Sequence, residues 1–353
     1  MRWFYLPNEG KEGDQIGPRR AFESLFAKGV FSHYEAYSYL VRRRELGSQE
    51  AALRDLLERA RAFAPDVIFA QHLNRSYPTT RAFLRELKAI PSAPKLVLYE
   101  EDPYGKIVKP LDSTLKAMIA EADMSFLGGL GYLAEHAIAA GGRNIRYVPH
   151  SYDDVRFGGP WTPTRKRRFD AVMIANLTCL KRIPWLYMPG GRSRKRTARA
   201  LHAALGERFA LFGGGQGWKG ETYCRGPLPF DQQGTTIRDA WISVNWGQFD
   251  EIAMYSSDRL PISLASGVPH ITNSQPSYKF VFDRVPGLFV VDTPREAADV
   301  ALYLLSLPVE RRVEIGLEAA AYASLYFNAD RVYRDLVEVI REQFFAESNQ
   351  AVA

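Results

Sequence analysis

The stretch Tyr255–Asn273, YSSDRLPISLASGVPHITN, decides how the chain is read. Ser256, Ser257 and Asp258 are N-cap residue types, because a short side-chain oxygen can accept from a free N–H at a helix start. The apolar run Leu260, Leu264 and Ala265 that follows predicts a short buried helix. Pro261 then falls in the first turn, where the N–H it lacks has no intrahelical partner in any case. Gly267 supplies the stop, and Val268 to Thr272 reads as a turn into a buried strand. Free N–H groups with Arg259 beside them suit an anion. An ordinary capped helix packed on a sheet carries the same features, so on these residues alone both readings stand.

Outward from this stretch, length and composition set the frame. The chain has 353 residues, enough for two domains of roughly 150–180 residues each. A hydrophobic content of 46% with 24% charged residues describes a globular protein. Cys179 and Cys224 form no C-x-x-C pair, which argues against a disulfide framework or a zinc site. The start, MRWFYLPNEG, is too short in apolar residues for a secretory segment, and no run is long enough to span a membrane, so a cytoplasmic location is expected. The net charge of +6 comes from arginine-rich clusters at 42–44, 165–168 and 192–196. These suit nucleic acid, an anionic membrane surface or phosphate-bearing ligands, and equally a plain solvated surface.

Strand and helix signals alternate along the whole chain. In the first half, strands are predicted at 2–6, 34–40, 66–70, 95–99, 124–127 and 145–148, with helices from Pro18 and over 48–63, 78–89, 111–121 and 132–140. The second half offers strands beginning at Phe169 and at 209–212, 241–246, 270–273 and 288–291. Its helices are predicted at 192–205, 231–239, 294–306, 309–325 and 330–345. This alternation predicts parallel sheets covered on both faces, with ligands beyond the C-terminal strand ends. Loops 8–17, 71–77 and 100–106 therefore share one rim. The expected division is 1–157, a basic Gly/Pro linker at 158–168, a second domain at 169–327, and a last helix at 328–346.

The motif S-D-R-L-x-x-x-L-A-S-G-V-P followed by a strand resembles the donor site of two-domain GT-B glycosyltransferases, in particular the CgeB-like branch and its family-1 and family-4 relatives. The run Val148-Pro149-His150-Ser151-Tyr152-Asp153 is similar to the one that ends their N-terminal domain. The resemblance implies an α/β fold of two Rossmann-like domains, with a C-terminal helix crossing back onto the first. It also implies transfer of a hexosyl or pentosyl group from a nucleotide-sugar, a UDP- or GDP-sugar co-substrate, to a hydroxyl acceptor. In such relatives the opening stretch holds the diphosphate and ribose, which assigns donor binding to Tyr255, Ser256, Ser257, Asp258 and Arg259. Asn176, Lys181 and Arg182 match the loop after the first strand of the second domain, and Gly213 and Gly214 a loop near the nucleotide base. The Glu with which many relatives bind ribose is missing; Pro261 and Ile262 stand there.

The chemistry expected of these residues needs neither cofactor nor metal. No D-x-D occurs to gather a divalent cation, so the diphosphate charge would be met by Arg259, by Lys181 or Arg182 and by the helix start. On the acceptor side, Glu100, Glu101 and Asp102 crowd one strand end, which would raise the pKa of one of them into a range suited to a base. Asp102 is the first candidate, then Glu101, with His72 and Asp14 in reserve. The acceptor is a carbohydrate, a lipid-linked or small-molecule hydroxyl, or a modified base in DNA. A sugar-nucleotide-binding protein without catalysis is the remaining alternative. Acceptor identity and oligomeric state do not follow from the residues.

Overall fold

The structure is a computed structural model that describes residues 1–159, 165–180, 183 and 186–346. The chain divides into two compact units, one of Met1–Pro149 with the segment from Ala329, the other His150–Asn328. In unit 1 the order is β1 (Arg2–Leu6), α1 (Ile16–Ala27), β2 (His33–Ala36), α2 (Tyr39–Leu46), α3 (Gln49–Phe63), β3 (Val67–Gln71) and α4 (Arg81–Lys88). Then follow β4 (Lys95–Glu100), α5 (Ser113–Glu121), β5 (Met124–Leu127), α6 (Tyr132–Ala139) and β6 (Ile145–Tyr147). Unit 2 holds β7 (Phe169–Ile174), α7 (Gly191–Leu205), β8 (Phe209–Phe212), α8 (Gln233–Arg238), β9 (Ala240–Val244) and α9 (Arg259–Ala265). It continues with β10 (His270–Asn273), α10 (Lys279–Phe282), β11 (Leu288–Val291), α11 (Pro294–Ser306) and α12 (Val309–Tyr326). The last helix, α13 (Ala329–Phe345), belongs to unit 1.

Both sheets are parallel, which explains why their central strands are apolar without alternation: each is covered on two faces. The order in unit 1 is β2-β1-β3-β4-β5-β6, and in unit 2 β11-β10-β9-β7-β8. Strand order therefore reverses between β1 and β3 in one sheet and between β7 and β9 in the other. These are the crevices where open α/β sheets take their ligands. In unit 1 an aromatic core of Trp3, Phe22, Phe69, Tyr99 and Tyr333 is fully or nearly fully buried, and Tyr333 brings α13 edge-on against Phe22 at 5.2 Å. Unit 2 packs α7 and α11 on one face around Trp218, Trp241 and Trp246, and α9 and α12 on the other around Phe169, Val172 and Leu264.

Three local expectations change. The strand expected at 34–40 stops at Ala36, and Tyr39–Leu46 is helical, ended by Gly47 at φ +73°. The turn between them is forced because the Ser38 hydroxyl is drawn onto the buried Glu9 carboxylate. The segment at 231–239 begins as a 3-10 turn and becomes α8 only at Gln233. Residues 150–157 group with unit 2, where Tyr152 pairs with Asn328 and Phe157 joins the core. No helix of the described residues is long and apolar enough to cross a membrane.

Candidate functional site

Each unit carries a cluster of polar side chains at the C-terminal ends of its strands, in unit 1 at the ends of β3 and β4, one strand beyond the reversal, and in unit 2 after β7, β8 and β9. In unit 1, β3 and β4 pair with Gln71 opposite Tyr99, so the next residues, His72 and Glu100, emerge side by side. His72 has a left-handed backbone (φ +57°), rare for a residue with a Cβ, and its N–H is held by the Tyr99 carbonyl at 2.8 Å. Its ring lies between two carboxylates: Nδ1 is 2.5 Å from Glu100 Oε1 and Nε2 is 3.4 Å from Asp102 Oδ2. Glu100 is 1% exposed and also accepts from the Asp102 backbone N–H at 2.9 Å. Lys109 Nζ donates to Asp102 Oδ2 at 2.7 Å.

The electrostatics follow from this sandwich. Burial alone would lower the His72 pKa, but the Glu100 charge and the hydrogen bonds to Asp102 and Glu100 outweigh it and raise the value to about 10. Burial would likewise raise the Asp102 pKa, yet His72 and Lys109 hold it well below the ordinary carboxylate value. The raised carboxylate pKa expected from crowding is thus reversed at Asp102, because the neighbours that matter are cations. His72 therefore carries a proton on each ring nitrogen at neutral pH and has no free lone pair to take another. Asp102 is the ionised and solvent-facing member, with 44% of its side chain exposed.

Glu101 does not join this group. It is turned toward Tyr99 and Tyr333, raising the pKa of both phenols after burial has done so. Asp14 lies exposed in the loop after β1. That loop is shaped by Glu9, buried and bound to Arg19, whose Oε2 accepts from Gly13 N at 3.2 Å and Gln15 N at 3.4 Å. His72, Glu100 and Asp102 are the one group among the described residues with ligand atoms close enough for a metal ion. Each ring nitrogen faces a different carboxylate, however, which suits a shared proton better than a shared ion.

In unit 2 the loops after β7, β8 and β9 meet. Asn176 Oδ1 accepts from Gly214 N at 2.7 Å, and Gln248 Nε2 reaches the Asn176 carbonyl at 3.3 Å. Gly213 has no room for a side chain, since a Cβ would sit 1.9 Å from the Ala175 carbonyl oxygen. Its lack of a side chain thus serves loop packing, while a Cβ at Gly214 would make only ordinary contacts, 3.5 Å from Asn176 Oδ1 and 3.9 Å from Pro227. Arg259 begins α9 and pairs with Asp258. Its Nε is buried with no hydrogen-bond partner among the described residues. The helix start is built otherwise than expected: Asp258 occupies the cap position but its side chain makes no cap bond. Ser257 Oγ instead accepts from Asn245 Nδ2 at 3.0 Å and from Arg259 N at 3.4 Å. Ser256 is buried, and the Tyr255 ring stands edge-on to His150 at 5.8 Å. Lys181 and Arg182 lie outside the described residues.

Two participants were not picked out from the sequence. Glu100 follows from pairing the ends of β3 and β4, a register that the residues before it imply only once the strands are known to be neighbours. Arg194, read merely as part of a basic helix start, is buried, and its guanidinium donates from Nε to the Trp246 carbonyl and from Nη1 to the Asn176 carbonyl, both at 2.6 Å. Members of the other arginine clusters also make contacts within the chain, several of them at the exposed surface. Arg42 pairs with Asp55 and Glu45, Arg43 and Arg44 bind the Ser76 and Gly10 carbonyls, and Arg165 pairs with Glu310.

No protein-family model and no curated protein matches the sequence. Solved structures do match the fold over almost the whole chain. The Anabaena protein HepE, solved in complex with UDP, has a TM-score of 0.60 at 14% identity, covering 97% of this chain and 100% of its own. A glycosyltransferase from Rickettsia africae has a TM-score of 0.60 at 10% identity, covering 96% and 97%. Sucrose-phosphate synthase from Thermosynechococcus elongatus has a TM-score of 0.59 at 11% identity, covering 98% and 100%. With two parallel Rossmann-like sheets matched over almost its whole length, the chain has the GT-B glycosyltransferase fold.

Proposed function

We propose that the chain is a glycosyltransferase that moves a sugar from a UDP- or GDP-sugar to a hydroxyl acceptor, with arginine charge in place of a metal ion at the diphosphate. The observation that carries this reading is the buried Nε of Arg259 at the start of α9, which has no hydrogen-bond partner among the described residues. A buried guanidinium N–H without an acceptor is costly, and a phosphate oxygen would satisfy it. The UDP complex of HepE, a protein of the same fold, supports the choice of ligand.

In the transfer, the bond between the sugar's anomeric carbon and the diphosphate oxygen breaks and a bond to the acceptor oxygen forms. The acceptor proton passes to a carboxylate or to the departing phosphate. Asp102 is the carboxylate we assign to the acceptor hydroxyl, since it is ionised and exposed while His72 is already protonated. With its pKa held low by His72 and Lys109, it is a weak base that takes the proton only late, after its hydrogen bond has oriented the hydroxyl. Calorimetry with UDP and GDP tests the donor half. Loss of one charge-assisted contact in Arg259→Ala should weaken binding about 10- to 100-fold. An unchanged dissociation constant would remove Arg259 from the site.

A further inference from the structure

The geometry points to a second ligand site in unit 1, a cavity that binds a phosphate monoester through Arg81, Arg85 and Arg143. The cavity measures about 440 Å³ and lies among α4, the end of α5, the turn between α6 and β6, and Phe344 of α13, all within unit 1. Its walls include Asp123 and Asn144, the residues just before β5 and β6, so it sits at the N-terminal edge of the sheet. Glu100 and Asp102 stand at the opposite, C-terminal edge, where open α/β sheets take their principal ligand. A ligand in the cavity is therefore a separate one, and the site stands whether or not unit 2 binds a nucleotide-sugar.

Charge selects the ligand. Arg81, Arg85 and Lys88 fall on one face of α4, because residues three and four apart on a helix are neighbours. Arg143 joins them from the α6–β6 turn. Against these four cations the lining sets two carboxylates, Glu121 and Asp123, and both are committed. Asp123 takes Lys88 Nζ on Oδ1 at 2.9 Å and the Leu96 backbone N–H on Oδ2 at 2.8 Å. Glu121 Oε1 accepts from Arg85 Nε at 3.1 Å and lies 2.9 Å from its Nη2. Arg81 Nε is 4.0 Å from that same oxygen, too far for a hydrogen bond, and its Nη2 donates instead to the Ala140 carbonyl at 2.8 Å. No described residue forms a hydrogen bond or ion pair with Arg143. The lining thus carries two positive charges more than its own carboxylates balance, and a phosphate monoester brings nearly two negative ones at neutral pH.

The turn that carries Arg143 is fixed in place. Asn144 has a left-handed backbone (φ +49°) and donates Nδ2 to the Asp123 carbonyl at 2.9 Å. A Cβ at Gly142 would meet Ile119 at 2.7 Å and the Ala137 carbonyl oxygen at 2.8 Å, so the turn packs closely on α5 and α6. The volume falls in the range of roughly 300–1,000 Å³ usual for small-molecule pockets, which leaves room for a sugar-sized body behind the phosphate.

Calorimetry on the full chain with glucose 6-phosphate tests the site, with glucose as the neutral control and dimethyl phosphate as the monoanion. The wild type should bind the monoester more tightly than either control. Arg143→Gln removes an exposed guanidinium without a partner among the described residues, so the fold should be unaffected, and it should weaken the monoester about 10-fold. Adding Arg81→Gln should bring the loss to about 100-fold, with UDP affinity at the wild-type value. A wild type that binds no monoester, an affinity untouched by Arg143→Gln, or full competition between UDP and glucose 6-phosphate would each overturn the site. So would Arg143-dependent binding to phosphatidic acid vesicles without binding of the soluble ester, which would make this face a membrane contact. Binding of the ester through Arg143 in a chain that ignores UDP would keep this site and remove the nucleotide-sugar reading.

Discussion

Replacing Glu100 by Gln removes one negative charge 2.5 Å from His72 Nδ1 while keeping the shape of the side chain. The rise of the His72 pKa from 6.5 to about 10 amounts to a preference of the folded protein for the imidazolium of ~5 kcal/mol, at ~1.36 kcal/mol per unit. Because the folded value lies above the unfolded one, this stabilisation is complete below pH 6.5 and disappears as pH rises through about 10. Most of it is therefore still present at pH 7.5 and most of it is gone by pH 9.5. Without the Glu100 charge, burial regains weight and the midpoint should fall by several units, toward the ordinary histidine value. The assay is an NMR titration of the histidine rings, with the His72 signal assigned by His72→Gln. Wild-type His72 should stay protonated from pH 5.5 to 8.5, and Glu100→Gln should bring its midpoint into that window. Thermal stability of the variant should be lower at pH 7.5 and lose its decline toward pH 9.5. A wild-type midpoint near 6.5 would refute the sandwich as described.

Two further outcomes are expected. Asp102→Asn, assayed at saturating donor, should lower transfer about 10²–10⁴-fold if the carboxylate takes the acceptor proton, with nucleotide affinity near wild type; normal turnover would leave the leaving phosphate as the proton's destination. His270 is wholly buried in β10 with Nδ1 3.3 Å from Ser243 Oγ, and burial lowers its pKa from 6.5 to about 3. A depressed histidine leaves stability intact above pH 6.5 and erodes it as pH falls toward 3, so urea unfolding should show ~2 kcal/mol less stability at pH 5 than at pH 7 from this group, a loss that His270→Val should abolish.

The strands and helices were legible because parallel sheets write themselves locally. An apolar run such as Val67–Gln71 or Phe209–Phe212 must be buried on both faces, and the amphipathic segments between must cover it. Where the reading failed, a distant group decided. Tyr39–Leu46 is helical because Ser38 is held by Glu9, 29 residues earlier, a contact no window of sequence contains. The start of α9 drew attention for its capping residues, yet Ser257 is occupied by Asn245 from the preceding loop and Asp258 by Arg259. The residue types suit an anion, but the partners that shape this helix start come from beyond β9 and from Arg259 itself.

The same reasoning explains why the shift expected of Asp102, just beyond β4, has the opposite sign. Three acids in a row look like mutual repulsion, which would raise a pKa. Strand geometry separates them: Glu100 goes under His72, Glu101 goes toward Tyr99 and Tyr333, and Asp102 goes out to Lys109 and the other side of the imidazole. Neighbours in sequence thus become members of three different environments, and what sets each charge is the residue delivered by the adjacent strand. Arg194 is the counterpart in unit 2. Its charge looked like one of a surface cluster, but helix α7 starts directly behind the two strand ends of the reversal, which turns that one arginine inward while Arg192 and Arg196 stay outside. In unit 2 that group sits beside the strand ends where the order reverses, whereas in unit 1 it sits one strand further along, because the register of β3 on β4 makes His72 and Glu100 emerge as neighbours at the C-terminal rim where open α/β sheets take their ligands.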